Sequence, residues 1–143
     1  MLESRFVQGR AKFSDHAPDF FEPTAKIYVR VRFADLAQEY LAQLDTGAAW
    51  SVLSSRVVKD LGIDARIGDK IRLSTRFGSH EGHLVRVPFL LIAEEGESLE
   101  TQGTFFVSNN WPIDQTFLGY SGLLDSIRFA LDPQANHFYF GTS

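Results

Sequence analysis

Cysteine is absent from the 143 residues, which excludes disulfides and thiolate metal centres. No stretch approaches the roughly 18 apolar residues that a membrane-spanning helix requires. The formal net charge is −4 with the signs mixed along the chain, so there is neither a basic footprint for nucleic acid nor a polybasic anchor for lipid. Residues 1–13 carry Arg5, Arg10 and Lys12 without the apolar run that follows such charges in a secretory leader. These absences lead to the expectation of a cytoplasmic protein. Internal repeats and low-complexity linkers are lacking as well.

What is present fits one globular domain. Apolar residues make up 44% and charged residues 22%, and thirteen phenylalanines supply bulk for a core. Residues 1–23 show no period and contain Pro18, Pro23 and Phe20-Phe21, which reads as an extended arm ahead of a domain over 24–143. In residues 24–33 the pattern alternates. Ile27, Val29, Val31 and Phe33 take one face and Lys26, Tyr28, Arg30 and Arg32 the other, predicting a strand with one buried face. A second strand over 40–44 pairs with it as a hairpin. Ser54 is a fitting N-cap for a short helix over 55–61 that Gly62 ends. Residues 70–77 and 83–92 read as a long hairpin with its tip at Gly78-Ser79-His80-Glu81-Gly82. An acidic turn over 93–98, a strand over 99–107 and a loop holding Trp111-Pro112 follow. After Phe117-Leu118-Gly119 come a short helix over 123–127 and strands over 129–131 and 137–140. The sum is an all-β fold with one or two short helices.

The sharpest chemical feature is Leu44-Asp45-Thr46-Gly47-Ala48 at the end of an apolar strand. A carboxylate leaving a buried strand can activate water when its environment tunes it. Gly47 allows a tight turn and close approach to a ligand. Thr46 supplies a hydroxyl, and Ala48 is small enough to let a substrate pass.

In three blocks the sequence resembles the retropepsin-like aspartic peptidases, over roughly residues 24–141. The first is Leu44-Asp45-Thr46-Gly47-Ala48 with Ser51 and Val52-Leu53 behind it. The second is the hairpin over 70–92, in the place of the family's flap. The third is Phe117-Leu118-Gly119-Tyr120, followed by Leu123-Leu124 and Phe129-Ala130-Leu131-Asp132-Pro133. The resemblance implies a closed acid-protease β-barrel acting as a homodimer on a polypeptide substrate, without metal or cofactor. It implies Asp45 as the catalytic aspartate. Thr46, Gly47 and Ala48 would line the substrate site, with Phe77 and Gly78 closing over the bound peptide. No second Asp-Thr-Gly or Asp-Ser-Gly occurs, since Asp125-Ser126 is followed by Ile127. One chain therefore carries one carboxylate of a site that needs two, and a two-fold dimer supplies the other. The family's retroviral members pair an acidic residue after the motif with an Arg after the later Gly. Ala49 or Trp50 and Tyr120 stand there instead, so packing replaces an ion pair.

Other readings compete. The same fold can serve as a catalytically inactive dimerisation or peptide-binding module. His80 and His83 with Glu81 between them invite a metal site, although a polar hairpin tip is the more ordinary account. Glu94, Glu95, Glu97 and Glu100 read as a solvated acidic turn. Trp111-Pro112 reads as a loop packed on the core rather than a ligand platform.

Overall fold

The computed structural model describes residues 8–13, 26–75, 78–109 and 111–142. Alternating apolar residues make β2 (Ile27–Phe33) and β3 (Tyr40–Leu44) an antiparallel hairpin, with Val29 opposite Ala42 and Val31 opposite Tyr40. Strand β4 (Ser51–Val52) follows the Asp45 loop. Helix α1 (Ser55–Leu61) is capped by Ser54, whose Oγ accepts from the Val57 N–H at 3.3 Å. It stops at Gly62, whose φ of +68° suits glycine. Strands β5 (Asp69–Thr75) and β6 (Gly78–Leu91) form the long hairpin. Strand β7 (Glu95–Gly96) is short, and β8 (Leu99–Val107) runs antiparallel to β6. Strand β9 (Thr116–Leu118) is followed by a single 3-10 turn at Leu124–Ser126. Strands β10 (Ile127–Asp132) and β11 (His137–Thr142) end the chain as a hairpin.

Six strands close into a barrel in the order β2-β3-β9-β4-β8-β6, with β6 returning to β2. Closure leaves no open edge among those six, and β5 extends the sheet beyond β6. Inside lie the phenylalanines that the composition advertised. Phe33 and Phe89 both meet Phe105 edge-on, at centroid distances of 5.8 Å and 6.0 Å. A separate four-stranded sheet has the order β10-β11-β1-β7, where β1 is Gly9–Lys12.

Three details differ from the sequence reading. The hairpin turns between Thr75 and Gly78, not across residues 78–82. Gly82 is a strand residue opposite Ile71, and a Cβ there would lie 2.6 Å from the Phe106 ring, so close packing rather than a turn requires glycine. Second, residues 9–12 of the N-terminal arm are a strand paired with β11 and β7. Third, the helix over 123–127 reduces to one 3-10 turn because Ile127 already pairs with Thr142.

Candidate active site

Asp45 follows directly on β3, and its position is fixed by backbone bonds on both sides. Its N–H donates to the Leu118 carbonyl on β9 at 2.9 Å, and its carbonyl accepts from Ala48 at 3.2 Å. The Gly47 N–H donates to Asp45 Oδ1 at 3.2 Å, so the turn itself orients the carboxylate. Asp45 and Ala48 are half-buried, while Thr46 and Gly47 are exposed at the tip of the turn.

The segment after β9 clamps this loop. Tyr120 and Ser121 donate their N–H groups to the carbonyls of Ala48 and Ala49, each at 2.9 Å. Trp50 and Ser121 form a parallel bridge. The Gly119 N–H donates to the buried Ser51 Oγ at 2.8 Å. Gly119 admits no side chain, since a Cβ would lie 2.5 Å from the Trp50 carbonyl. Main-chain bonds thus join the two segments that hold Ala49, Trp50 and Tyr120, where the sequence reading noted a missing ion pair, and the Tyr120 side chain is exposed. Below them, Ser54 N–H donates to the buried Thr116 Oγ1 at 3.1 Å, tying the start of α1 to β9.

Asp45 opens on a cavity of about 890 Å³. Gly47 and Ala48 line it beside the carboxylate, as does Trp50. Tyr28 and Gln43 form one wall, and Val52, Trp111, Ile113 and Phe117 another. Leu73, Ser74 and Thr75 of the hairpin face it from β5. Gly78 sits across from Thr75 at the hairpin end with φ +110° and does not border the cavity, and Phe77 lies outside the described residues. Thr46 does not line the cavity either, and its hydroxyl has no hydrogen bond among the described residues.

Several lining residues are not evident from sequence. Alternation puts Tyr28 on an outward face, yet it is buried against the cavity. Trp111 does pack on the core, edge-on to Phe106 at 6.0 Å, and it also walls the cavity. Asp114 borders the same cavity, and no hydrogen bond joins it to Asp45 among the described residues. His80 and His83 differ by three positions on β6 and so point to opposite sheet faces. His83 Nδ1 is 2.6 Å from the Ala65 carbonyl, and His80 packs against Trp111, so the two do not converge on a metal.

Away from the loop, one shifted group steadies the strand that carries Asp45. Burial first, and then a 2.7 Å hydrogen bond to Asp60 on α1, push the Tyr40 hydroxyl up to about 12.

The chain is similar to known proteins. The profile of one family, described as Aspartyl protease, matches residues 29–102. A solved structure, that of a retropepsin-like aspartic protease from Rickettsia conorii, superimposes with a TM-score of 0.58. The two share 15% identity, and the match covers 94% of this chain and 91% of that one. No curated protein matches the chain.

Proposed function

The chain belongs to the aspartyl protease family, and from that premise we propose that it is an endopeptidase whose site is shared between two copies. The observation that carries this reading is the Asp45 carboxylate, held by the Gly47 N–H at the edge of a large, mostly apolar cleft. One such loop per chain gives half of the required pair.

Two carboxylates about 3 Å apart cannot both be ionised, so the pair holds one proton and titrates as a unit. The ionised partner takes a proton from a bound water. The protonated one donates to the scissile carbonyl as the water oxygen attacks, giving a neutral gem-diol. Proton return to the amide nitrogen then breaks the C–N bond. No covalent intermediate and no cofactor are involved. The exposed Thr46 hydroxyl fits a contact across the two-fold axis, and Leu73 to Thr75 fit the role of a wall that closes on an extended peptide.

The test is cleavage of a peptide library from pH 4 to 7 by the wild type, Asp45→Asn and Asp114→Asn. Asp45→Asn is expected to lose at least about a thousandfold in kcat/KM with its melting temperature nearly unchanged. Asp114→Asn is expected to keep cleaving. Loss in both variants alike would place the two carboxylates in one chain. No cleavage by a wild type shown to be dimeric would leave a peptide-binding module.

A further inference from the structure

Resting on the endopeptidase reading, we propose that Asp114 selects the substrate, by pairing with the charged head of a lysine or arginine side chain that lies in the cleft near the scissile bond. The wall around it is apolar. Trp111, Ile113 and Phe117 border the cavity, and Asp114 stands in the segment that carries them. The charged residues lining the cavity, among those described, are Lys26, Asp45 and Asp114. Asp45 is committed to the water and the scissile carbonyl. Asp114 precedes β9, whose last residue, Leu118, holds the Asp45 N–H, so the strand separates the two carboxylates. A carboxylate in that place bears on recognition rather than on proton transfer.

Turn chemistry does not account for Asp114. Asp64, Asp125 and Asp132 each accept a nearby backbone N–H, from Arg66 at 3.0 Å and from Gly122 and Gln134 at 3.1 Å. Asp114 makes no hydrogen bond and no ion pair among the described residues, and its side chain is exposed. Asp35 and Asp69 also lack a side-chain partner among the described residues, but neither borders the cavity. Lys26 borders it, yet no ion pair joins Lys26 to Asp114 among the described residues.

The backbone that presents Asp114 is fixed on both sides. Gln115 Nε2 donates to the Leu41 carbonyl on β3 at 3.1 Å and to the Thr116 carbonyl at 3.0 Å. Ile113 packs against the cluster of Val52, Phe106 and Trp111. The carboxylate is therefore in place before a peptide arrives, and little ordering is left to oppose binding. A lysine or arginine side chain fits both parts of this wall. Its methylene stem covers Ile113 and Phe117 while its head meets the carboxylate. Symmetry repeats the effect, since a two-fold dimer carries one Asp114 per copy on either side of the scissile bond. Basic residues are favoured on both sides, and independent gains multiply.

The test uses the full chain and pools of short labelled peptides with lysine, norleucine or glutamate at one fixed position in turn and the other positions randomised. Norleucine keeps the stem and lacks the charge. At the favoured position the wild type is expected to show kcat/KM about fivefold higher for lysine than for norleucine, with glutamate last. Asp114→Asn is expected to bring the lysine-to-norleucine ratio near one, and Asp114→Lys to put glutamate first. Salt of about 0.5 M is expected to shrink the wild-type ratio, because the pair is open to water. A merely structural role would change all three pools alike and would not invert with the charge. Binding of the same pools to Asp45→Asn, read by fluorescence anisotropy, separates the two readings. Cleavage with the same ratio in wild type and Asp114→Asn overturns the selection by Asp114 and keeps the endopeptidase. No cleavage, with lysine peptides bound more tightly by Asp45→Asn than by Asp45→Asn/Asp114→Asn, does the reverse. Neither cleavage nor binding that depends on Asp114 overturns both.

Discussion

Two apolar clusters divide the interior, and they are built for different work. The large one fills the barrel with Phe33, Phe89, Phe105, Leu91 and Leu118, all essentially solvent-free, around edge-to-face aromatic contacts. The small one centres on Val52, Phe106 and Trp111, with Leu73, Ile113 and Phe117 packed against it, between the long hairpin and the cleft. Trp111 and His80 meet there edge-to-face at 5.3 Å, and Trp111 Nε1 and His80 Nε2 are both buried with no hydrogen-bond partner among the described residues. A buried unpaired donor costs about 1–3 kcal/mol. The large cluster has no such group among the described residues, and it supplies stability. The small cluster gives some stability up and shares five of its side chains with the cavity wall, so the hairpin and the cleft have one packed wall in common.

The sharpest way to break this contrast is truncation in each cluster. Phe105→Ala is expected to cost about 3–5 kcal/mol in urea unfolding, a large part of the stability of any single domain. Ile113→Ala, half-buried on the cleft side, is expected to cost about 1 kcal/mol and instead to shift the preferred peptide residues by about tenfold in kcat/KM. Equal stability losses would merge the two clusters into one core. Ser51→Ala tests the strap between them and the Asp45 loop. Its buried Oγ accepts from Gly119, so removing it strands an N–H at about 1–3 kcal/mol and lowers kcat with little change in KM.

Smaller effects sharpen the picture. Trp111→Phe removes the unpaired indole N–H while keeping most of the ring, and is expected to leave stability within about 1 kcal/mol of wild type in the same urea assay. A loss of about 3 kcal/mol or more in that assay would show that the donor is satisfied in solution. Tyr40→Phe is a pH experiment. The phenol holds its proton to about 12 when folded, against 10 for an ordinary tyrosine, so its contribution is full below pH 10 and lost as pH rises toward 12. The variant is expected to show a flatter melting temperature across that window.

Much of this organisation was legible in the sequence because its signals are local. Ser54 and Gly62 bracket α1 as caps should, and the alternation from Ile27 to Phe33 gives the core face of β2. Asp45-Thr46-Gly47 and Leu118-Gly119 are short motifs, and the fold joins them through the Asp45 N–H and the Leu118 carbonyl. What was missed depends on partners far away in the chain. Gly9 pairs with Phe140, and nothing near Gly9 announces it. Gly82 looks like turn chemistry until Phe106 is seen to occupy the space of its side chain. Tyr28 shares its strand face with Lys26, Arg30 and Arg32, yet that outward face is the wall of a cleft. Trp111 reads as core because one of its faces is core.

If one chain holds half of a site, mixing subunits exposes the sharing most directly. Wild-type protein at fixed concentration is incubated with increasing Asp45→Asn protein until subunits have exchanged, and peptide cleavage is then measured. A shared site predicts that cleavage falls toward zero as the variant comes into excess, because nearly every wild-type chain is then paired with a dead partner. Cleavage that stays constant per wild-type chain, in a mixture shown to have exchanged, would contradict it.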